Sequence, residues 1–353
     1  MFSRKKDTLV GLDIGSSAIK VAEVVETKKG RMLKKIAIAP VPYRLIEEGS
    51  IKDAPAVASI IKQLWKSENI KEKKVAISIG GYSVINKKVL LDRVSEDKLQ
   101  VTINQEAEQY IPFDIKDVNL DFQILDDSSD GKEKMNVLLV AAKKEMINEY
   151  VNLLDLAGLS VLIIDVDAFA LQNIYEFIGE VSNDLVALLD IGAYKTTLNI
   201  MKGTSSLFIR DVSLGCGQIT TRIQSFYNKL DIKEAEDVWR GASKVSLDKN
   251  KIRQSDVDEI VSRIVSEWCA EITRALDFFY SSNDERIKTF ILSGGGANIK
   301  EFRTLLSQQA SAAVKMFNPF KGFETGYDQK YLDNLAPQVA ICMGLSLRRV
   351  NDK

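Results

Sequence analysis

The tripeptide Asp-Ile-Gly occurs twice in this sequence of 353 residues, at positions 13–15 and 190–192. Each copy follows an apolar run typical of a buried strand and precedes a turn of small or polar residues, Ser16-Ser17 in the first and Ala193-Tyr194-Lys195 in the second. Glycine lets the backbone approach phosphate oxygens, amides and hydroxyls can donate to those oxygens, and an aspartate at a strand end can hold Mg²⁺ through water. Two such hairpins that face each other would clamp a polyphosphate from both sides.

Two other features could belong to the same site. Lys20 lies on the strand that leaves the first turn, where its ammonium would add a positive charge beside phosphates. Residues 293–298, Ser-Gly-Gly-Gly-Ala-Asn, follow a short apolar strand, and their glycines would let the backbone pack flat against a base or a ribose. Ordinary structural explanations also stay open: an exposed strand lysine, a plain strand-to-helix loop and, for Asp13 and Asp190, turn-capping aspartates.

The composition excludes several classes of protein. Histidine is absent, which rules out Ser-His-Asp and Cys-His catalysis and histidine-ligated zinc. The 48 lysines and arginines balance 49 aspartates and glutamates, so the chain lacks the positive charge that drives binding to nucleic acid. Its three cysteines are far apart and form neither a zinc motif nor a disulfide framework, which favours a reducing cytoplasm.

Nothing in the sequence is typical of a membrane-spanning segment or a signal peptide. The longest apolar stretches, such as 161–164 and 185–189, are far shorter than the roughly 18 residues needed to cross a bilayer. The charged N-terminus is not followed by the apolar run of a signal peptide. We therefore expect any association with a membrane to depend on a partner.

The first half of the chain predicts a mixed α/β lobe that carries an insertion. Alternating or apolar runs between residues 8 and 39 predict a meander of three strands, followed by a helix over 54–69 and a strand over 74–79. From 83 onward the order strand, helix, strand, strand, helix indicates an inserted α+β subdomain, with 126–134 as a hairpin loop.

The second half repeats the meander over residues 184–212, then becomes helical through 220–230, 234–240 and 257–280. A short strand at 289–292 and a final helix over 337–349 complete the pattern. We therefore divide the chain into a first lobe (1–82), the inserted subdomain (83–160), a return to the first lobe (161–183), a second lobe (184–336) and a C-terminal helix that packs back on the first lobe (337–353).

The order of these features resembles the actin-like ATPase superfamily, and the inserted unit resembles that of the cell-division protein FtsA. More specific matches point to the type IV pilus assembly protein PilM family and span residues 8–349. They are Gly11-Leu-Asp-Ile-Gly-Ser-Ser-Ala-Ile-Lys20-Val, Glu106-Ala-Glu-Gln-Tyr-Ile-Pro-Phe113, Leu120-Asp-Phe-Gln123, Asp165-Val-Asp-Ala-Phe-Ala170, Leu188-Leu-Asp-Ile-Gly-Ala193 and Asn318-Pro-Phe320. The segments at 106–113 and 318–320 are family-specific, whereas the hairpins identify only the superfamily.

The resemblance implies an actin-like (ribonuclease H-like) two-lobed fold with duplicated mixed-sheet lobes. It also implies a cytoplasmic ATP-binding adaptor of the inner-membrane platform of type IV pilus assembly, with ATP and Mg²⁺ as cofactors and weak or no ATPase activity. Its implied partner is the short N-terminal cytoplasmic tail of a PilN-type membrane protein, held in a groove beside the inserted subdomain whose residues are not predicted. The chain would then be peripheral to the inner membrane, with pilus motor ATPases and a second copy of itself as open further partners.

The resemblance also implies roles for individual residues. The first phosphate site would comprise Asp13, Gly15, Ser16, Ser17 and Lys20. The second would comprise Asp190, Gly192, Ala193, Tyr194, Lys195 and Thr196, with Gly215 in the loop that follows. Adenosine would be flanked by Gly294, Gly295, Gly296 and Asn298, with Glu236 beside the ribose. Asp13 and Asp190 would hold Mg²⁺ through water.

Two positions depart from the superfamily pattern. The adenosine helix usually reads Ala-Glu-x-x-Lys, but here Trp239 occupies the lysine position and Arg240 follows it. Either Arg240 replaces the lysine or Trp239 stacks on the base. The loop after the second hairpin usually has Gly-Gly, and the Gly215-Cys216 of this chain would narrow the pocket slightly.

Three alternative functions stay open. A filament-forming ATPase of the FtsA kind would attach to membrane through a C-terminal amphipathic helix, for which we expect no room after Arg349. A type II secretion system uses an equivalent adaptor. A small-molecule kinase of the same fold would need a carboxylate base in the cleft, for which Asp165 and Asp167 are the candidates.

Overall fold

A computed structural model describes residues 8–125, 133–241 and 252–350. In chain order the strands are β1 (Val10–Ile14), β2 (Ala18–Thr27), β3 (Gly30–Pro40), β4 (Ile46–Glu47), β5 (Ser50–Ile51), β6 (Lys74–Ile79), β7 (Val84–Asp92), β8 (Val118–Ile124), β9 (Lys134–Lys143), β10 (Ser160–Val166), β11 (Val186–Ile191), β12 (Thr196–Lys202), β13 (Ser205–Val212), β14 (Thr289–Ser293), β15 (Ala313–Met316) and β16 (Glu324–Thr325). The α-helices are α1 (Ala54–Ser67), α2 (Glu96–Ala107), α3 (Lys144–Ala157), α4 (Asp167–Phe177), α5 (Cys216–Phe226), α6 (Ile232–Trp239), α7 (Gln254–Tyr280), α8 (Lys300–Ala310), α9 (Gln329–Leu335) and α10 (Ala340–Ser346).

The first sheet contains the predicted meander. Its strand order is β10-β6-β1-β2-β3-β16. Strand β1 runs antiparallel to β2 and parallel to β6, and all five of its residues are buried. A central strand that is covered on both faces needs such a nearly continuous apolar run. The one charged residue of β1, Asp13, lies near the end of the strand, beside the turn.

The second sheet repeats the first. Its order is β13-β12-β11-β14-β15, and β11 runs antiparallel to β12 and parallel to β14. Strands β3, β2, β1, β6 and β10 of the first sheet therefore correspond in turn to β13, β12, β11, β14 and β15 of the second. The duplication expected from the two Asp-Ile-Gly segments is confirmed, because it extends over whole sheets.

A shared core joins the two sheets. Helices α4 and α10 supply much of it, together with side chains of β2, β3, β11 and β14. A side chain at Gly344 would overlap with the backbone carbonyl of Ala170, so glycine lets α10 lie directly against α4. The predicted final helix is shorter than expected, since a 3-10 turn over Ala336–Val339 precedes α10, which ends at Ser346.

Six further helices cover the outer faces of the two sheets. Helices α1 and α3 pack on the first sheet, and α5, α6, α7 and α8 pack on the second. Helix α7 buries Val257, Ile260, Val261, Ile264 and further residues at the spacing of one helical face. No helix in the described ranges is both long enough and apolar enough to cross a membrane.

The predicted insertion forms a small sheet with its own core. Its antiparallel order is β7-β9-β8, and α2 packs against it. The hairpin loop predicted at 126–134 joins β8 to β9, but residues 126–132 lie outside the described part of the chain. Helix α3 follows β9 directly and returns to the core of the first sheet. The segment limits drawn from the sequence stay predictions.

Candidate functional site

The two Asp-Ile-Gly turns face one cavity of about 950 Å³, which we call the cleft. Each turn lies where the first strand of a sheet passes into the second, so the duplicated sheets bring them together. Most of the predicted residues line the cleft: Asp13, Gly15, Ser16, Ser17, Lys20, Asp190, Gly192, Ala193, Tyr194, Lys195, Glu236, Arg240, Gly294 and Gly295.

The two turns have the same backbone geometry. The amide of Gly15 donates to the carbonyl of Ala18 at 3.1 Å, and the amide of Gly192 donates to the carbonyl of Lys195 at 2.9 Å. Within residues 8–125 and 133–241, four amides of these turns donate to no oxygen: those of Ser16, Ser17, Ala193 and Tyr194. Free amides that converge at a tight turn favour an anion.

An ion pair lies at the base of the first turn. The Lys20 Nζ is 2.9 Å from the Asp13 Oδ2, and both side chains are largely buried, with 17% and 12% exposed. Burial raises the pKa of the Asp13 carboxyl above its usual value, although Lys20 opposes this shift. Burial would lower the pKa of the Lys20 ammonium, but the charge and hydrogen bond of Asp13, together with the charge of Asp190, outweigh it and raise that pKa. Lys20 therefore stays cationic in the cleft.

A second cation comes from the other turn. The Lys195 Nζ lies 2.5 Å from Asp167 Oδ2 and 3.4 Å from Asp211 Oδ2. The hydroxyl of Ser78 donates to the remaining oxygen of Asp167 at 2.5 Å. Burial opposes ionisation of Asp167, yet Lys195 and these hydrogen bonds hold the pKa of its carboxyl below the usual value. Asp167 is therefore a carboxylate with both oxygens occupied.

Asp211 connects the two sheets. It lies on β13, and the amide of Gly81, which follows β6 of the first sheet, donates to its Oδ2 at 2.5 Å. The hydroxyl of Thr197 on β12 donates to its other oxygen at 2.7 Å. The tyrosine rings of Tyr43 and Tyr194 also stack across the cleft, with centroids 6.5 Å apart. These contacts hold the two walls of the cleft together.

Asp190, the counterpart of Asp13, has no lysine within ion-pair distance in the described part of the chain. The hydroxyl of Ser293 donates to its Oδ1 at 2.8 Å. Burial raises the pKa of its carboxyl to about 6, with only partial compensation from Ser293 and Lys20. Asp190 thus titrates near pH 6.

The predicted ribose and adenosine side of the cleft is formed by α6. Its N-terminus has a capping box in which Asp231 and Glu234 bond each other's backbone amides. Glu236 and Arg240 line the cleft and form an ion pair of 2.7 Å. Trp239 instead turns its indole N–H to the hydroxyl of Thr220, at 3.0 Å, and packs against the core of the second sheet. Of these two neighbours, Arg240 lines the cleft and Trp239 does not.

Four predicted residues lie outside the lining of the cleft. Thr196 is fully buried, and its hydroxyl donates to the carbonyl of Leu214. Gly215 lies against the backbone of Ala193, and Gly296 lies against the side chain of Ile191, so both allow close packing behind the cleft. The exposed Asn298 ends the 3-10 turn Gly295–Asn298. Their contact with a nucleotide stays a prediction.

Sequence reasoning missed several lining residues. The tip of the β4–β5 hairpin, Glu48 and Gly49, reaches the cleft in a left-handed conformation. Tyr150 of α3 lines the cleft and donates its hydroxyl to the carbonyl of Gly49 at 3.0 Å. The hairpin strands have only two residues each, too short for a recognisable pattern. Of the two candidate bases for a kinase, Asp167 lines the cleft, whereas Asp165 does not and pairs with Arg348.

The acidic side chains of the cleft do not form a direct metal site. The described residues contain no group of three or more His, Cys, Asp or Glu that could hold a metal ion. Asp13 and Asp167 are each bonded to a lysine, and Asp190 accepts from Ser293. Ligation of Mg²⁺ through water by Asp13 and Asp190 therefore stays a prediction.

A second cavity lies in the inserted unit. It has a volume of about 570 Å³, and we call it the side groove. It is lined by α2, the 3-10 turn Ile115–Asp117, the start of β8 and the start of α3, through Asn104, Glu108, Asp114, Ile115, Lys116, Val118, Asn119, Leu120 and Lys144. Helix α3 thus contributes to both cavities, with Lys144 at the side groove and Tyr150 at the cleft.

Two sheets with five corresponding strands each and a cleft between them are typical of the actin-like ATPase fold. Solved structures agree. The chain superposes with a TM-score of 0.58 and 12% identity on the ethanolamine utilization protein EutJ from Carboxydothermus hydrogenoformans, over 98% of this chain and 90% of that one. It superposes with a TM-score of 0.51 and 12% identity on MreB5 of Spiroplasma citri bound to AMPPNP, over 96% and 94%.

The family is more specific than the fold. The family model described as type IV pilus assembly protein PilM matches residues 11–350, and the chain belongs to this family. A solved PilM-PilN type IV pilus biogenesis complex matches with a TM-score of 0.87 and 27% identity, over 98% of this chain and all of that one. The fold and the family expected from the sequence are confirmed.

Proposed function

We propose that this PilM-family protein is a nucleotide-binding adaptor of type IV pilus assembly. It would bind ATP in the cleft and hold the short N-terminal tail of a PilN-type membrane protein on the cytoplasmic side of the inner membrane. The observation that carries this proposal is the similarity to the solved PilM-PilN complex, which extends over nearly the whole chain.

The nucleotide half of the proposal is supported by the arrangement of the cleft. Two turns with free amides approach from opposite sheets, Lys20 adds a positive charge, and Gly294 and Gly295 line the cleft with backbone alone. The volume of about 950 Å³ is at the upper end of ordinary small-molecule pockets. A structural relative, MreB5, has been solved with AMPPNP. Amides would hold the phosphates, and Arg240 would border the nucleoside.

The partner half of the proposal places the tail in the side groove. Asn104 and Asn119 offer amide groups that can both donate to and accept from an extended peptide backbone. The groove borders β8, an edge strand that pairs only with β9 among the described strands. Main-chain pairing at a free edge is a common way to bind an extended segment.

The experiment is a fluorescence anisotropy titration of a labelled peptide that carries the sequence of a PilN-type tail, with the full chain and with or without Mg-ATP. Saturable binding that is lost in an Asn104→Ala/Asn119→Ala variant supports the adaptor function and the side groove. Binding that the variant retains moves the peptide to another surface. Absence of binding in both conditions contradicts the adaptor function.

We expect slow or undetectable ATP turnover by the isolated chain. Asp167, the cleft carboxylate that a kinase would require, accepts a hydrogen bond of 2.5 Å from the Ser78 hydroxyl, and a carboxylate held in this way is a weak base. Rapid steady-state phosphate release would contradict this expectation. No described feature favours a filament-forming or type II secretion role over the adaptor.

A further inference from the structure

The ammonium of Lys195 lies between two carboxylates from different parts of the chain. Asp167 is the first residue of α4, and Asp211 lies on β13. The side chain of Lys195 is only 29% exposed, and those of Asp167 and Asp211 are 17% and 21% exposed. Its charge is therefore already neutralised inside the cleft, next to the turn whose amides are free.

We propose that phosphate groups compete with Asp167 and Asp211 for Lys195, so that these two carboxylates set the affinity of the cleft for a nucleotide. This inference rests on the proposed nucleotide-binding function. Asp167 and Asp211 would thus weaken nucleotide binding without having to contact the nucleotide.

The ammonium of Lys195 is packed against the first sheet. A side chain at Gly80 would overlap with the Lys195 Nζ, so the ammonium lies directly against the backbone that follows β6. From this position it makes a contact of 2.5 Å with Asp167. The free amides of Ala193 and Tyr194 lie in its own turn, and an anion held by them would attract the same ammonium.

The charges around Lys195 support an exchange of partners. The neighbouring carboxylates raise the pKa of its ammonium, despite burial, so it remains cationic at every pH of interest. A phosphate oxygen is as strong an acceptor as a carboxylate oxygen. Moving to phosphate leaves Asp167 with the hydroxyl of Ser78 and Asp211 with the Gly81 amide and the Thr197 hydroxyl. Both carboxylates therefore keep hydrogen bonds after the exchange.

A double-mutant cycle measured by calorimetric titration with AMPPNP tests the competition. Asp167→Asn should tighten AMPPNP binding about tenfold, because a charge-assisted hydrogen bond no longer has to be given up. Lys195→Met should weaken binding. In the Lys195→Met background the gain in affinity from Asp167→Asn should fall below about twofold, since the ammonium that Asp167 holds away from phosphate is missing. Lys202→Met, which removes an exposed ion pair with Glu285 at the far end of β12, is the matched control and should leave affinity unchanged.

Other outcomes overturn the inference in distinguishable ways. A gain from Asp167→Asn that persists in the Lys195→Met background would show that removing a negative charge acts through the general field, without Lys195. Failure of the unsubstituted chain to bind AMPPNP would remove the proposed nucleotide site itself. Should Lys195→Met not fold by circular dichroism, Lys195→Gln keeps a donor for Asp167 without the charge, and the same loss of coupling is expected.

Discussion

Ser78 and Ser293 occupy equivalent positions in the two sheets, and each donates its hydroxyl to an aspartate of the cleft. Ser78 is near the end of β6, the parallel neighbour of β1, and bonds Asp167. Ser293 ends β14, the parallel neighbour of β11, and bonds Asp190. The pKa of Asp167 is lowered because Lys195 is adjacent, whereas burial raises that of Asp190 to about 6. Serines on corresponding strands thus bond two carboxyl groups whose pKa values are shifted in opposite directions.

Nucleotide affinity should depend on the protonation of Asp190. Below a pH of about 6 its carboxyl is neutral and repels phosphates less, so AMPPNP without Mg²⁺ should bind more tightly as the pH falls through this value. Calorimetric titrations from pH 5 to 8 measure the effect. The phosphates of AMPPNP also titrate in this range, and they affect both proteins equally. The affinity of Asp190→Asn should therefore lack only the part of the pH dependence that comes from Asp190. An identical pH profile for the two proteins would contradict the assignment.

The stability of the protein should depend on the same group with a defined sign. Asp190 has a pKa near 3.8 when unfolded and about 6 when folded, so folding takes up a proton between these values. Its contribution to stability is present at low pH and is lost as the pH rises through about 6. Asp190→Asn should therefore raise the free energy of unfolding by roughly 3 kcal/mol at pH 8. At pH 3 the two proteins should unfold at the same urea concentration. A difference in stability that is the same at pH 3 and pH 8 would contradict the assigned titration of Asp190.

The close approach of α10 to α4 should make Gly344 sensitive to substitution. Gly344→Ala places a methyl group against the Ala170 carbonyl, which should lower the free energy of unfolding by about 2 kcal/mol. Gly326→Ala is the control, because nothing lies within 4 Å of the added carbon there. Urea unfolding of both variants gives the comparison. Equal stability would mean that the two helices can separate without cost.

Arg240 and its neighbour Trp239 should have separate effects. Arg240→Ala should weaken AMPPNP binding several-fold, since its side chain lines the cleft. Trp239→Phe removes the hydrogen bond to Thr220 and should lower the free energy of unfolding by about 1 kcal/mol, with affinity changed less than about twofold. A loss of affinity in Trp239→Phe but not in Arg240→Ala would indicate that Trp239 stacks on the base.

The two lobes and the meander of each sheet could be predicted from the sequence, because the strands of each meander have clear apolar or alternating patterns. The duplicated Asp-Ile-Gly turns indicated both the repeat and the location of the cleft. A second repeat in the sequence did not enter the prediction: a serine near the end of β6 and one at the end of β14 are each followed by glycines, in Ser78-Ile79-Gly80-Gly81 and Ser293-Gly294-Gly295-Gly296. Both segments follow the parallel neighbour of an Asp-Ile-Gly strand, which is why both reach the cleft.

Other parts of the site had no local signal. Asp167 and Asp211 meet Lys195 only because α4 and β13 come together in the fold, and spacing along the chain does not reveal this. The β4–β5 hairpin is too short to show alternation. Similarly, Trp239 and Arg240 are adjacent in sequence, and only the direction of each side chain decides which one faces the cleft.

The central claim is that the inserted unit holds the tail of a PilN-type protein. Hydrogen–deuterium exchange of the full chain, with and without a saturating tail peptide, tests it most directly. The account predicts slower exchange in Glu96–Ala107 and Val118–Ile124, which border the side groove, and no change in Lys300–Ala310 on the second lobe. If the peptide binds and exchange in the first two segments stays unchanged, the inserted unit is not the binding site. If the peptide does not bind at all, the adaptor function itself is contradicted.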